Sequence, residues 1–162
     1  MAPSPERVAI LLPLGIAVSI TFCTVIIHAL AMMPMIYFVH YELRLGRAGV
    51  LFRRDVAIVA GATLVALAAH LVAIATWAIV FSLCGEFSQF AEAVYYSGLN
   101  YTTLGDSAVI PPSWRLLVPL EGANGMLMFG VSTAMLFAIV QRLVESRLGE
   151  SSSYDRRVQQ GH

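Results

Sequence analysis

Lysine is absent from this chain, and all ten of its basic residues are arginine. Charged residues make up only 12% of it, about half the share usual in soluble domains. That scarcity excludes an ordinary soluble globular domain. Cysteine is nearly missing as well. Cys23 falls in the middle of one apolar run and Cys84 at the end of another, so the single available pairing would need Cys23 to find its partner inside a bilayer. No disulfide or metal framework is read from them. Paired carboxylates, metal-spaced histidines and broken-helix repeats are missing too, which argues against an enzyme or a transporter.

What the chain has in abundance is apolar length. Hydrophobic residues reach 58% with a mean hydropathy of +0.75, the profile of an integral membrane protein. Residues 8–39 carry no formal charge, far more than the roughly 20 residues a spanning helix needs and too long for a secretory signal. This run is expected as a retained first span, with Pro13 or Pro34 as places for a kink. A second uncharged run, 56–83, is interrupted only by His70, and a third span is expected over 116–140. Eight of the arginines, Arg44, Arg47, Arg53, Arg54, Arg142, Arg147, Arg156 and Arg157, lie in the connector after the first span or the tail after the last. By the positive-inside rule both places are cytoplasmic, which puts the amino terminus outside and the carboxy terminus inside the cell membrane. The tail, with Ser151-Ser152-Ser153, is expected to be loosely ordered. Trp77 and Trp114 suit the interfacial aromatic belt. Once three spans are subtracted from 162 residues, no separate catalytic, cyclic-nucleotide or calcium-binding module is expected, and no arginine-rich span points to a voltage sensor.

Between the second and third runs lies the stretch around which the rest is organised: Tyr95-Tyr96-Ser97-Gly98-Leu99-Asn100-Tyr101-Thr102-Thr103-Leu104-Gly105-Asp106-Ser107, closed by Pro111-Pro112. Residues 86–101 have amphipathic helical character. A dozen helical residues at about 1.5 Å each cannot cross a ~30 Å core. Such a helix enters partway, and the polar residues after it return. Irregular backbone at membrane depth is tolerated only where it is buried in protein or lines a water-filled path. The expectation is a re-entrant pore loop. A half-helix ending in the membrane turns its negative end toward a cation, the following backbone supplies carbonyl oxygens, and Gly105 permits the angles that aim them.

These residues resemble the potassium-channel pore family, whose loop carries Thr-Thr-Val-Gly-Tyr-Gly after an aromatic pair and a Ser. Tyr95-Tyr96-Ser97 and Thr102-Thr103-Leu104-Gly105 stand in those places, and the resemblance covers roughly 56–143, leaving the first span outside. Where potassium-selective members continue Tyr-Gly-Asp, this chain has Asp106-Ser107-Ala108. In that it is similar to the filters of nonselective sodium/potassium and cyclic-nucleotide-gated channels. The resemblance implies an all-α membrane protein with three transmembrane helices and a re-entrant pore helix and filter between the second and third, assembled as a homotetramer in the lipid bilayer. It also implies a pore for K+ and Na+, weakly selective because its filter is Thr-Leu-Gly-Asp-Ser. A potassium-selective channel and a non-conducting accessory subunit are the alternatives. No cofactor beyond the permeant ions and no nucleic-acid partner are expected.

The expected organisation is 1–54 as first helix and connector, 55–143 as pore domain and 144–162 as tail. The ion-binding filter is Thr102, Thr103, Leu104, Gly105 and Asp106, with K+ or Na+ held at Thr103, Leu104 and Gly105. Asp106 forms a carboxylate ring at the mouth, or accepts hydrogen bonds within the loop. Glu121 belongs to the outer mouth or supports the loop from behind. Gly125 and Gly130 are a bending point or a place of close helix approach. Met126, Phe129, Thr133 and Phe137 form one helical stripe, with Thr133 facing the cavity and Phe129 and Phe137 near the gate, unless the stripe is plain packing. His28 and His70, both mid-span, are packing residues or pH sensors.

Overall fold

A computed structural model describes residues 5–46, 52–85, 87–105 and 113–160, with side chains between 10 and 149. Among these residues the chain is all-helical: α1 spans Pro5–Arg44, α2 Phe52–Leu83, α3 Phe90–Tyr101 and α4 Leu117–Gln160. The segments Ile10–Arg44, Phe52–Leu83 and Leu117–Gly149 are long and apolar enough to cross a bilayer. Helix is the outcome such runs require, because a single segment in hydrocarbon must satisfy its own backbone donors and acceptors. α1 runs on through Pro13 and Pro34. α3 has only 12 residues, about 18 Å of rise, too short to cross.

Three local expectations change. The connector expected over 40–55 is helical at both ends, since α1 continues to Arg44 and α2 begins at Phe52; Glu42 and Arg54 form an ion pair at 2.5 Å across it. Residues 144–160 continue α4 instead of forming a loose tail. Ile139 and Leu143 are core residues, and one turn on Arg147 bonds Asp55 at 2.8 Å, so the helical register is held beyond the apolar run. Trp77, expected at the membrane interface, is fully buried and packs with Phe81.

The chain divides into two compact units, Met1–Ala29 with Ala68–Val131, and Leu30–Leu67 with Ser132–His162. The first has a core of Trp77, Phe81, Tyr96, Tyr101, Leu117 and Met128. Tyr96 meets Phe81 edge-on at 5.3 Å, a favoured aromatic geometry. The second is built on Val39, Ile58, Ala62, Ile139 and Leu143. Leu11 at 70% and Leu30 at 71% exposure are typical of the uncovered apolar surface of α1. Apolar exposure on that scale marks contact with lipid or protein.

Candidate ion-pathway site

The site is built outward from α3. Gln89 is its N-cap, in extended conformation, and its carbonyl accepts from the amides of Glu92 and Ala93. Along the helix the aromatic pair splits. Tyr96 goes into the core, whereas Tyr95 is 67% exposed. Ser97 is buried, and its Oγ lies 2.9 Å from the Ile74 carbonyl of α2 and in hydrogen-bond contact with Glu121 Oε1 of α4. Glu121 is itself wholly buried. Its carboxyl therefore ties α4 to α3.

Residues 102–105 turn back over the end of this helix. Leu104 N and Gly105 N both donate to the Leu99 carbonyl, at 2.9 and 3.1 Å, and Thr103 N donates to the Asn100 carbonyl at 2.9 Å. Across a trans peptide the carbonyl of the preceding residue points opposite to the amide. With these amides aimed at α3, the carbonyls of Thr102, Thr103 and Leu104 face away from it. Two left-handed residues make the turn, Thr103 at φ +64° and Gly105 at φ +72°. Gly105 adopts that angle without cost, whereas a β-branched Thr at positive φ is uncommon. The Thr102 hydroxyl bonds the Gly98 carbonyl at 2.7 Å and so caps the helix. Leu104 is exposed. A cavity of about 240 Å³ opens beside the turn, lined by residues that include Asn100, Thr103, Gly105, Gly122 and Met126. Asp106, Ser107 and Ala108 lie outside the described residues, as do Glu86 and Pro111-Pro112.

α4 approaches the end of α3 closely. A Cβ on Gly125 would stand 1.9 Å from the Tyr101 carbonyl oxygen, and one on Gly122 would stand 3.3 Å from that of Asn100. At Gly130 a Cβ would meet nothing within 4 Å. Met126, Phe129, Thr133 and Phe137 are all exposed, and Phe129 also stacks on His70 with ring centroids 4.3 Å apart.

A buried polar chain joins His28 and His70, whose pairing the sequence did not show, to Tyr101. His28 Nδ1 is 2.9 Å from the Thr24 carbonyl, His28 Nε2 is 3.2 Å from His70 Nδ1, and that nitrogen is 3.1 Å from the Tyr101 hydroxyl. A carbonyl only accepts, so the proton of a neutral His28 sits on Nδ1 and its Nε2 accepts from His70 Nδ1–H. The Tyr101 hydroxyl is the second partner of the same nitrogen. One turn earlier on α1, Thr24 Oγ1 donates to Asn124 Oδ1 of α4 at 3.0 Å. The signal available in the sequence was polar side chains inside spanning runs, which are functional candidates by default. Their partners, 42 and 100 residues away along the chain, were not readable.

Residues 69–142 match the family model described as "Ion channel". No curated protein and no solved structure matches the chain. The matched segment runs from Ala69 of α2 through α3 and its turn to Arg142 of α4, so the similarity to ion channels covers α3 and the two helices that flank it.

Proposed function

We propose that the protein is a homotetrameric channel for monovalent cations, K+ and also Na+, in the cell membrane. The observation that carries this is the turn after α3. The Thr102, Thr103 and Leu104 carbonyls face away from a short helix set between two helices of spanning length, inside the segment similar to ion channels. A ring of such carbonyls replaces the water shell of a cation, and one chain contributes one turn, so a closed path takes four copies. α3 is then a re-entrant pore helix and 102–106 the filter. α2 and α4 are the outer and inner helices of a pore domain over 55–143, with 1–54 and 144–162 flanking it. Thr103 offers a hydroxyl and a carbonyl to the ion, Leu104 and Gly105 offer carbonyls, and Asp106 supplies a carboxylate ring at the mouth. On α4, Thr133 faces the inner cavity and Phe129 and Phe137 narrow it, a constriction that gates by dewetting. The amino terminus is outside and the carboxy terminus cytoplasmic, as the arginine distribution supports. The chain carries out no covalent chemistry and needs no cofactor beyond the ions it passes.

Weak selectivity follows from the acid after Gly105. Without a Tyr-Gly pair to continue the carbonyl stack, fewer dehydrating sites lie in a row. The test is a reversal potential in planar bilayers with K+ on one side and Na+ on the other. A value near zero is expected. A value close to the potassium equilibrium potential would make the pore potassium-selective, and protein that runs as a monomer or dimer in mild detergent and passes no current would end the channel reading.

A further inference from the structure

We propose that α1 is a working part of the pore, with His28 as a positioning residue that acts through His70 and Tyr101 on the filter. The inference rests on the channel reading above and adds to it a role for the helix that lies outside the segment similar to ion channels.

Tyr101 is the last residue of α3 and stands immediately before the filter. It is fully buried and held from three directions. Its carbonyl abuts Gly125, its ring meets Phe129 edge-on at 5.8 Å, and its hydroxyl is 3.1 Å from His70 Nδ1. His70, 6% exposed, is in turn oriented by His28 of α1, 1% exposed, whose Nδ1 is fixed on the Thr24 carbonyl one turn back. The imidazole of His28 therefore fixes the orientation of the His70 ring whose Nδ1 meets the Tyr101 hydroxyl.

A helix that merely sealed the flank of a pore would not need this. Apolar and small residues suffice for helix adhesion in a bilayer, whereas imidazole in a spanning segment costs free energy unless it is paired. α1 instead spends His28 and Thr24 on partners in the pore segment, His70 and Asn124. Both contacts sit at the level of the α3 end. A bond chain that ends on the residue before Thr102 restricts the backbone from which the filter carbonyls are aimed.

The test is single-channel recording of wild type, His28→Phe, His28→Gln, His28→Asn and Tyr101→Phe in planar bilayers, with the oligomeric state of each checked in detergent. Gln places its amide oxygen near the position of Nε2 and so keeps the acceptor for His70; Asn does not reach it. His28→Phe is expected to change the K+/Na+ permeability ratio or the open probability about threefold or more, the scale of one lost buried hydrogen bond, while keeping the wild-type oligomer. His28→Gln is expected to stay within about twofold of wild type, and Tyr101→Phe to reproduce the Phe effect so that the double variant adds nothing. Wild-type ratio and open probability in His28→Phe would overturn the proposal. Should His28→Phe fail to assemble, the Gln and Asn variants decide: equal behaviour overturns the proposal, and a loss confined to Asn supports it. A wild type that passes no current overturns the channel reading and this one together. A conducting wild type with unaffected variants overturns only the role of α1.

Discussion

Gly125 of α4 and the carbonyl of Tyr101 are in backbone contact, so close that a Cβ on the glycine would come within 1.9 Å of the oxygen. The end of α3 rests on α4 at a glycine, where no side chain holds the two backbones apart. Gly130, five residues on, has open space around it. Gly125 and Gly130, expected as a bending point or a place of close helix approach, are therefore under different constraints.

Gly125→Ala is expected to destabilise the fold by about 1–3 kcal/mol, the usual cost of overpacking. The Ala-over-Gly gain in helix propensity, about 1 kcal/mol at most, does not offset a clash with backbone. Gly130→Ala is expected to be neutral or slightly stabilising. Thermal melting in detergent separates them, and equal melting shifts for the two variants would contradict the contact.

Glu121→Ala is expected to cost about 1–3 kcal/mol, because it strips a buried partner from Ser97. Glu121→Gln keeps an oxygen for the Ser97 hydroxyl and is expected to retain most of that. A Gln variant that melts as low as the Ala variant would show that the bond to Ser97 is not what matters.

Asp55 and Arg147 form an ion pair at 2.8 Å, and the guanidinium also lies 5.5 Å over the Phe52 ring. With the Arg147 side chain 38% exposed, solvent screens the pair. A cycle of Asp55→Asn and Arg147→Gln is expected to give a coupling of about 0.5–1 kcal/mol, falling with added salt. Zero coupling at low salt would reduce the contact to packing.

If Asp106 rings the mouth, Asp106→Asn lowers single-channel conductance about twofold or more in dilute salt. The two proteins converge near 1 M, where the screening length shrinks to about 3 Å. A deficit independent of salt would place the carboxylate in the filter's own hydrogen bonding.

The sequence by itself determined the class and the order of elements. Uncharged runs must fold as helices in lipid, whose hydrocarbon offers backbone groups no other partner, and the amphipathic stretch 86–101 between two of them is too short to cross. It could not show where α1 stops or that α4 continues through 144–160, since those bounds depend on ion pairs such as Glu42 with Arg54 and Asp55 with Arg147. Trp77 went to the core and not to the interface because burial of a large ring is a matter of neighbours. Only the tertiary structure decided that Gly125 faces the Tyr101 carbonyl, that Glu121 meets Ser97 of α3, and that His28 and His70 meet. The physical reason is the same in each case. Helical periodicity fixes which residues share a face, while the partner that a face meets is set by packing between segments far apart in the chain.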